Sequence, residues 1–156
     1  MQGINEFYRR GIVLMKIAIG CDHAGFEYKE KLKQWLLENN YECDDVGTFS
    51  TDAVDYPIYA KAVCNKVLSN ACDFGILFCG TGIGMSIAAN KIKGIRAAVC
   101  SDIKSAELTR QHTDSNVLCM GAQIIGFLTA REITKTFLSN SFVGGKHKVR
   151  VDMLES

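Results

Sequence analysis

From residue 15 onward, short apolar runs alternate with segments whose apolar residues recur at helical spacing. Lys16-Ile17-Ala18-Ile19-Gly20 reads as a strand. Phe26 to Asn39 reads as a helix with Tyr28, Leu32, Trp35 and Leu36 along one side. Asn39-Asn40 ends that helix, and Glu42 to Val46 is a weak strand. Pro57 to Leu68 reads as a helix, with its proline in the first turn, where a missing N–H costs nothing. Phe74 to Cys79 is a buried strand, followed by a helix to about Lys91. Ile95 to Cys100 is the next strand, and Ser101-Asp102 caps the helix behind it. Asn116 to Met120 is a short strand, Leu128 to Leu138 a helix, and Lys146 to Leu154 a short final helix. Alternation of this kind predicts an α/β fold: a three-layer, Rossmann-like domain with a five-stranded parallel sheet and helices on both faces. Ligands in such sheets bind at the carboxyl ends of the strands. That rule selects Cys21-Asp22-His23, Cys79-Gly80-Thr81 and Ser101-Asp102.

Composition narrows the function classes. The chain has 156 residues, enough for one domain, and 47% of them are hydrophobic, enough for a packed core. Lysine and arginine number 18 against 17 acidic residues, a formal net charge of +1, which argues against a nucleic-acid binder. No apolar run approaches the roughly 20 residues that span a bilayer, so no membrane partner is expected. The cysteine count is odd, seven, and the closest pair, Cys72 and Cys79, does not form a C-x-x-C motif. Cys64, Cys100 and Cys119 lie in apolar runs, as reduced core cysteines do, and reduced thiols imply a cytoplasmic location. Met15-Lys16-Ile17 looks like a natural beginning. Residues 1–14 are therefore expected to be an extension outside the fold, and residues 15–156 a single domain.

The candidate chemistry centres on Cys79-Gly80-Thr81-Gly82-Ile83-Gly84. A strand ending in a thiol runs through three alternate glycines into a helix start. Glycines let backbone N–H groups approach a ligand closely, and a helix N-terminus offers free donors to an anion. The same field stabilises a thiolate at Cys79. A buried core cysteine is the bland reading of that residue, but a core thiol needs no three glycines beside it. The dinucleotide fingerprint fails because Met85 occupies its third glycine position, and the P-loop fails for want of Gly-Lys-Ser/Thr. Taken singly, His23, His112 and His147 read as surface histidines. For His23 the balance tips, because it follows Asp22 at the expected ligand edge. Asp22 reads both as a helix cap and as a functional acid. The basic tail Gly144-Gly145-Lys146-His147-Lys148-Val149-Arg150 is either a solvated helix face or a phosphate clamp. A thiolate base, an oxyanion loop, an acid–base histidine and a basic clamp together are the parts of an enolisation site for a small phosphorylated substrate.

Cys-Asp-His-Ala-Gly (21–25), Asp-Tyr-Pro (55–57), the block 79–91, Gly-Ile-Arg-Ala-Ala-Val-Cys (94–100) and Arg-Gln-His (110–112) closely resemble type B ribose-5-phosphate isomerases. That family also includes galactose-6-phosphate isomerase subunits. The resemblance runs from Met15 to the C-terminus. It implies interconversion of ribose 5-phosphate and ribulose 5-phosphate without a metal or other cofactor. It also implies a homodimer or dimer of dimers, with active sites between subunits. By resemblance, Cys79 is the base that moves a proton between C1 and C2. His112 is the donor that helps open the furanose ring, and Thr81 is the hydroxyl assisting it. Asp22 manages the O1/O2 proton, while Gly80, Thr81, Gly82, Ile83 and Gly84 form the loop holding the enediolate oxygen. His23, Lys146 and Arg150 are implied phosphate ligands, and Tyr56 a wall of the sugar pocket. Three positions, all expected to touch substrate, depart from the usual pattern: Thr113 where Asn is common, Gln123 where Arg is frequent, and Lys146 for the first arginine of the clamp. Lysine keeps the charge but loses the bidentate fork.

Two other readings compete with this one. A hexose 6-phosphate isomerase is the alternative within the class, but the motifs here are less like those two-subunit enzymes. A phosphate- or nucleotide-binding module without catalysis is the alternative outside it. In that case Asp102, about 20 residues after the glycines, would hold a ribose.

Overall fold

The computed structural model describes residues 13–156; the expected extension over residues 1–14 lies, except for its last two residues, outside the described residues. Five strands and six helices follow in order: β1 (Lys16–Cys21), α1 (Phe26–Glu38), β2 (Glu42–Gly47), α2 (Tyr56–Leu68), β3 (Phe74–Cys79), α3 (Ile83–Asn90), β4 (Ala97–Val99), α4 (Ile103–Thr113), β5 (Val117–Gly121), α5 (Phe127–Ser139) and α6 (Lys146–Glu155). A single turn of 3₁₀ helix, His23–Gly25, joins β1 to α1. All strand pairs are parallel, in the order β2-β1-β3-β5-β4.

Side chains of the three central strands alternate between two hydrophobic layers. Ile17, Ile19, Ile76, Phe78, Leu118 and Met120 point into one layer, against Leu32 and Leu36 of α1, Ala106 of α4, and Ile133 and Phe137 of α5. Ala18, Leu77, Cys79, Val117 and Cys119 point into the other, against Val63 and Cys64 of α2 and Met85 and Ala89 of α3. Strands covered on both faces read as continuous apolar runs, which is why β3 and β5 stand out in the sequence.

The expected elements are all present, with small differences at their ends. The largest is at β4, expected over Ile95–Cys100 and found over Ala97–Val99. Ile95 is held in a turn by donating its N–H to Ile92, and the Arg96 N–H goes to the Asn116 side chain, so strand pairing starts only at Ala97. In β1 the strand runs one residue further than expected, to Cys21.

The chain leaves β1 toward β2 on one side and returns to β3 on the other. Where strand order reverses in this way, a crevice opens at the carboxyl ends. Here those ends are Cys21 and Cys79.

Candidate active site

Cys79 ends β3 and is 5% exposed. The chain then turns so that the Gly82 N–H donates to Cys79 Sγ at 3.1 Å. That turn needs φ +77° at Gly82, a left-handed conformation that a side chain disfavours. A Cβ there would also lie 2.8 Å from the Met120 carbonyl carbon. The loop is seated on β5. The Cys79 carbonyl accepts from Ala122 at 2.9 Å and the Gly80 carbonyl from Gln123 at 2.9 Å. The Ile83 N–H donates to Thr81 Oγ1 at 3.2 Å. Among the described residues, the N–H groups of Gly84 and Met85 in the first turn of α3 have no protein acceptor. A sulfur receiving an N–H, beside free donors at a helix start, is an arrangement suited to binding an anionic oxygen next to the sulfur.

Around this loop stand four of the other candidates. Asp22 is buried at the end of β1, and its Oδ1 accepts from Ala24 and Gly25 at 3.0 and 3.1 Å. It therefore caps the following turn, the first of its two readings. His23 is exposed, and its Nδ1 accepts from the Val54 N–H at 3.2 Å. In the neutral ring this leaves the proton on Nε2, a donor free to meet an anion. Tyr56, at the start of α2, lies over Gly84, where an added Cβ would come within 2.9 Å of the ring. The Gln123 side chain lies over Gly80 in the same way, at 3.0 Å.

His112, Thr113, Lys146 and Arg150 are elsewhere. α4 connects two parallel strands, so it runs back across the sheet and ends at the amino-terminal edge. β5 rises about 13 Å from Val117, near the end of α4, to Gly121, the partner of Cys79. His112 is thus on the opposite edge from Cys79. There it stacks on His147, with ring centroids 4.2 Å apart and planes 3° apart. His147 brings Lys146 and Arg150 of α6 to the same corner, and together they lower its pKa, after the loss of hydration and alongside His112. The Thr113 hydroxyl is turned inward, donating to the Thr109 carbonyl at 2.7 Å. The candidates therefore form two half-sites in one chain, one at each edge of the sheet.

His147, by itself a surface histidine of the basic tail in the sequence, joins the second half-site through this stack. Its partner across the stack is set by how α6 docks, which spacing does not reveal. Lys29 was also missed. It is fully buried under the β1–β2 edge, held by Asp45 at 2.7 Å and Glu30 at 2.8 Å, with the Phe49 ring 4.8 Å away. The available signal was its place on the apolar stripe of α1, beside Leu32 and Leu36. Asp102 is an exposed helix cap, its carboxylate taken by the Ser105 N–H and hydroxyl at 2.7 Å each. No cluster of three metal-binding side chains occurs among the described residues. No described helix is long and apolar enough to cross a membrane.

A family model described as Ribose/Galactose Isomerase matches residues 17–154. The ribose-5-phosphate isomerase B of Escherichia coli is 47% identical over 141 residues, covering 90% of this chain and 95% of that one. Among solved structures, a ribose 5-phosphate isomerase of Thermotoga maritima superposes with a TM-score of 0.89 at 51% identity, covering 90% of this chain and 97% of that one. The ribose-5-phosphate isomerase B of Mycoplasma genitalium, solved with bound ribulose-5-phosphate, gives 0.87 at 38% identity, covering 90% and 94%.

Proposed function

The chain belongs to the ribose/galactose isomerase family, and from that premise we propose that it interconverts ribose 5-phosphate and ribulose 5-phosphate through an enediolate. The observation that carries this reading is the Gly82 N–H aimed at Cys79 Sγ at the carboxyl edge of the sheet. With its sulfur as thiolate, Cys79 takes the proton from C2 of the open-chain aldose and returns it to C1. The electron pair moves onto O1, giving the enediolate. The free N–H groups at the start of α3 stabilise the oxyanion; one such donor is worth about 3–4 kcal/mol. Asp22 shuttles the proton between O1 and O2. His23, with Lys146 and Arg150, holds the phosphate. Tyr56 walls the sugar, and Gln123 and Thr113 complete the pocket. No metal or cofactor takes part.

Ring opening belongs to His112 with Thr81, and these two residues are on opposite edges of one chain. The working unit is therefore a homodimer, over a single domain of residues 15–156, in which His112, Lys146 and Arg150 of a second copy close over Cys79. A two-fold arrangement generates two identical sites. The apolar side chains left exposed near the loop, Ile83, Ile87, Val99 and Ile103, suit such a contact. An assembly of two such pairs is compatible with the same sites, and reduced thiols fit the cytoplasm.

Conversion of ribose 5-phosphate by the wild type and by Cys79→Ala tests this reading. Turnover in the wild type and its loss in the variant are the expected results. Wild-type turnover at least tenfold better on allose or galactose 6-phosphate would move the assignment to a hexose.

A further inference from the structure

Arg96 belongs to a motif, Gly94 to Cys100, to which the reaction assigns no role. It is half-buried, and its contacts go to two different elements. Its Nε donates to the carbonyl oxygens of Thr113 and Asp114, at 3.0 and 3.2 Å, and its Nη2 to that of Asp114 at 2.9 Å. These carbonyls terminate α4 immediately after His112, and helix-end carbonyls have no partner within the helix. Its Nη1 pairs with Glu155 Oε1 at 2.5 Å, in the last turn of α6. Arg110 holds the other side of the same helix end, through Asp114 Oδ1 at 2.9 Å and the Ser115 carbonyl at 2.8 Å.

α6 depends on this contact more than its length suggests. Only Val151 of its ten residues is buried, while Val149, Met153 and Leu154 are largely exposed. The helix, about 15 Å long, is fastened near its first turn by the His147–His112 stack and near its last by Glu155–Arg96.

We propose that Arg96 is a positioning residue for the reaction: it joins the end of α4, which carries His112, to the end of α6, which carries Lys146 and Arg150. The proton donor and the phosphate clamp are thereby presented to the substrate as one rigid unit. This rests on the functional reading above. Arg96 touches neither reacting atoms nor phosphate and acts only through these neighbours.

The test is steady-state kinetics on ribose 5-phosphate with wild type, E155Q, R96Q and the double variant, together with hydrogen exchange of residues 146–155. E155Q frees only the far end of α6, so KM rises about tenfold with kcat within twofold of wild type. R96Q also uncovers the α4 carbonyls, so kcat falls as well, by about tenfold. The double variant shows the KM of R96Q alone, because the two side chains act through one contact. The α6 amides exchange faster in E155Q. Unchanged KM and unchanged exchange in E155Q overturn the proposal, even if R96Q fails to fold. A wild type without turnover overturns the functional reading, and the proposal with it.

Discussion

The imidazole of His112 lies flat against that of His147, 4.2 Å between centroids and 3° from parallel. Lys146 and Arg150 stand in the same corner, so a further charge on the His147 ring is disfavoured. His147 is accordingly held below the ordinary histidine value of 6.5, first by lost hydration and then by the positive charge of His112, Lys146 and Arg150. The unfolded chain therefore takes up this proton at higher pH than the folded one. The contribution to stability is fully unfavourable below the lowered value and is lost as pH rises through and above 6.5. NMR titration of His147 should give a midpoint below 6.5, and K146M should raise it. A midpoint at or above 6.5 would contradict the electrostatic account.

Alkylation should be selective. Burial pushes the thiols of Cys21 and Cys43 up to about 12 and those of Cys64 and Cys100 to about 11, and raises Cys72 and Cys119 as well. All six are protonated at neutral pH, and the thiolate is the reactive species. Iodoacetamide at pH 7.5 should therefore label Cys79 first, with activity lost in proportion and ribose 5-phosphate protecting. C79S should take up no label at the same rate, and its turnover should fall by about a thousandfold. Mass spectrometry of the labelled peptides decides between this site and any other.

Gly82→Ala tests the loop itself. The substitution forces a side chain into φ +77° and against the Met120 carbonyl carbon. A stability loss of about 1–2 kcal/mol in urea unfolding is expected from the backbone alone. Any shift of the Gly82 N–H away from Cys79 Sγ should lower kcat by about tenfold as well. Loss of stability with full kcat would separate the hydrogen bond from the chemistry.

Subunit mixing tests the two half-sites. C79A and H112N are each expected to be inactive alone. A mixed dimer would contain one damaged site and one built entirely from intact residues. Equal mixing, followed by exchange of subunits, should restore about a quarter of wild-type activity. No recovery, with exchange confirmed by mass, would place both residues in a site within one chain.

The sequence reveals some layers of this structure better than others, for physical reasons. β1 and β3 are plain because both of their faces are buried, which leaves no polar alternation. β4 is misjudged in length because an edge strand with one half-exposed face can stop anywhere along an apolar run. The Cys79 loop is visible because close approach and left-handed backbone require glycine at particular places. The separation of His112 from Cys79 was implicit in the topology, since a helix between two parallel strands must end at the amino-terminal edge. Grouping residues by chemistry hides that geometry. The His112–His147 stack and the Arg96–Glu155 contact depend on where α6 returns after residues 140–145, and no periodicity encodes a docking angle. Lys29 is hidden for another reason: a charged residue on an apolar stripe is a sign of burial only once its partner, Asp45 on a neighbouring strand, is known.

Placing the thiol loop and the histidine corner at opposite edges has a kinetic consequence. On the proposed pairing of two copies, a solitary folded chain carries two unfinished sites, so rate per chain is set by how many neighbours it finds. Dilution should then silence the catalyst without melting it, and the concentration at half-maximal specific rate should read out the strength of pairing.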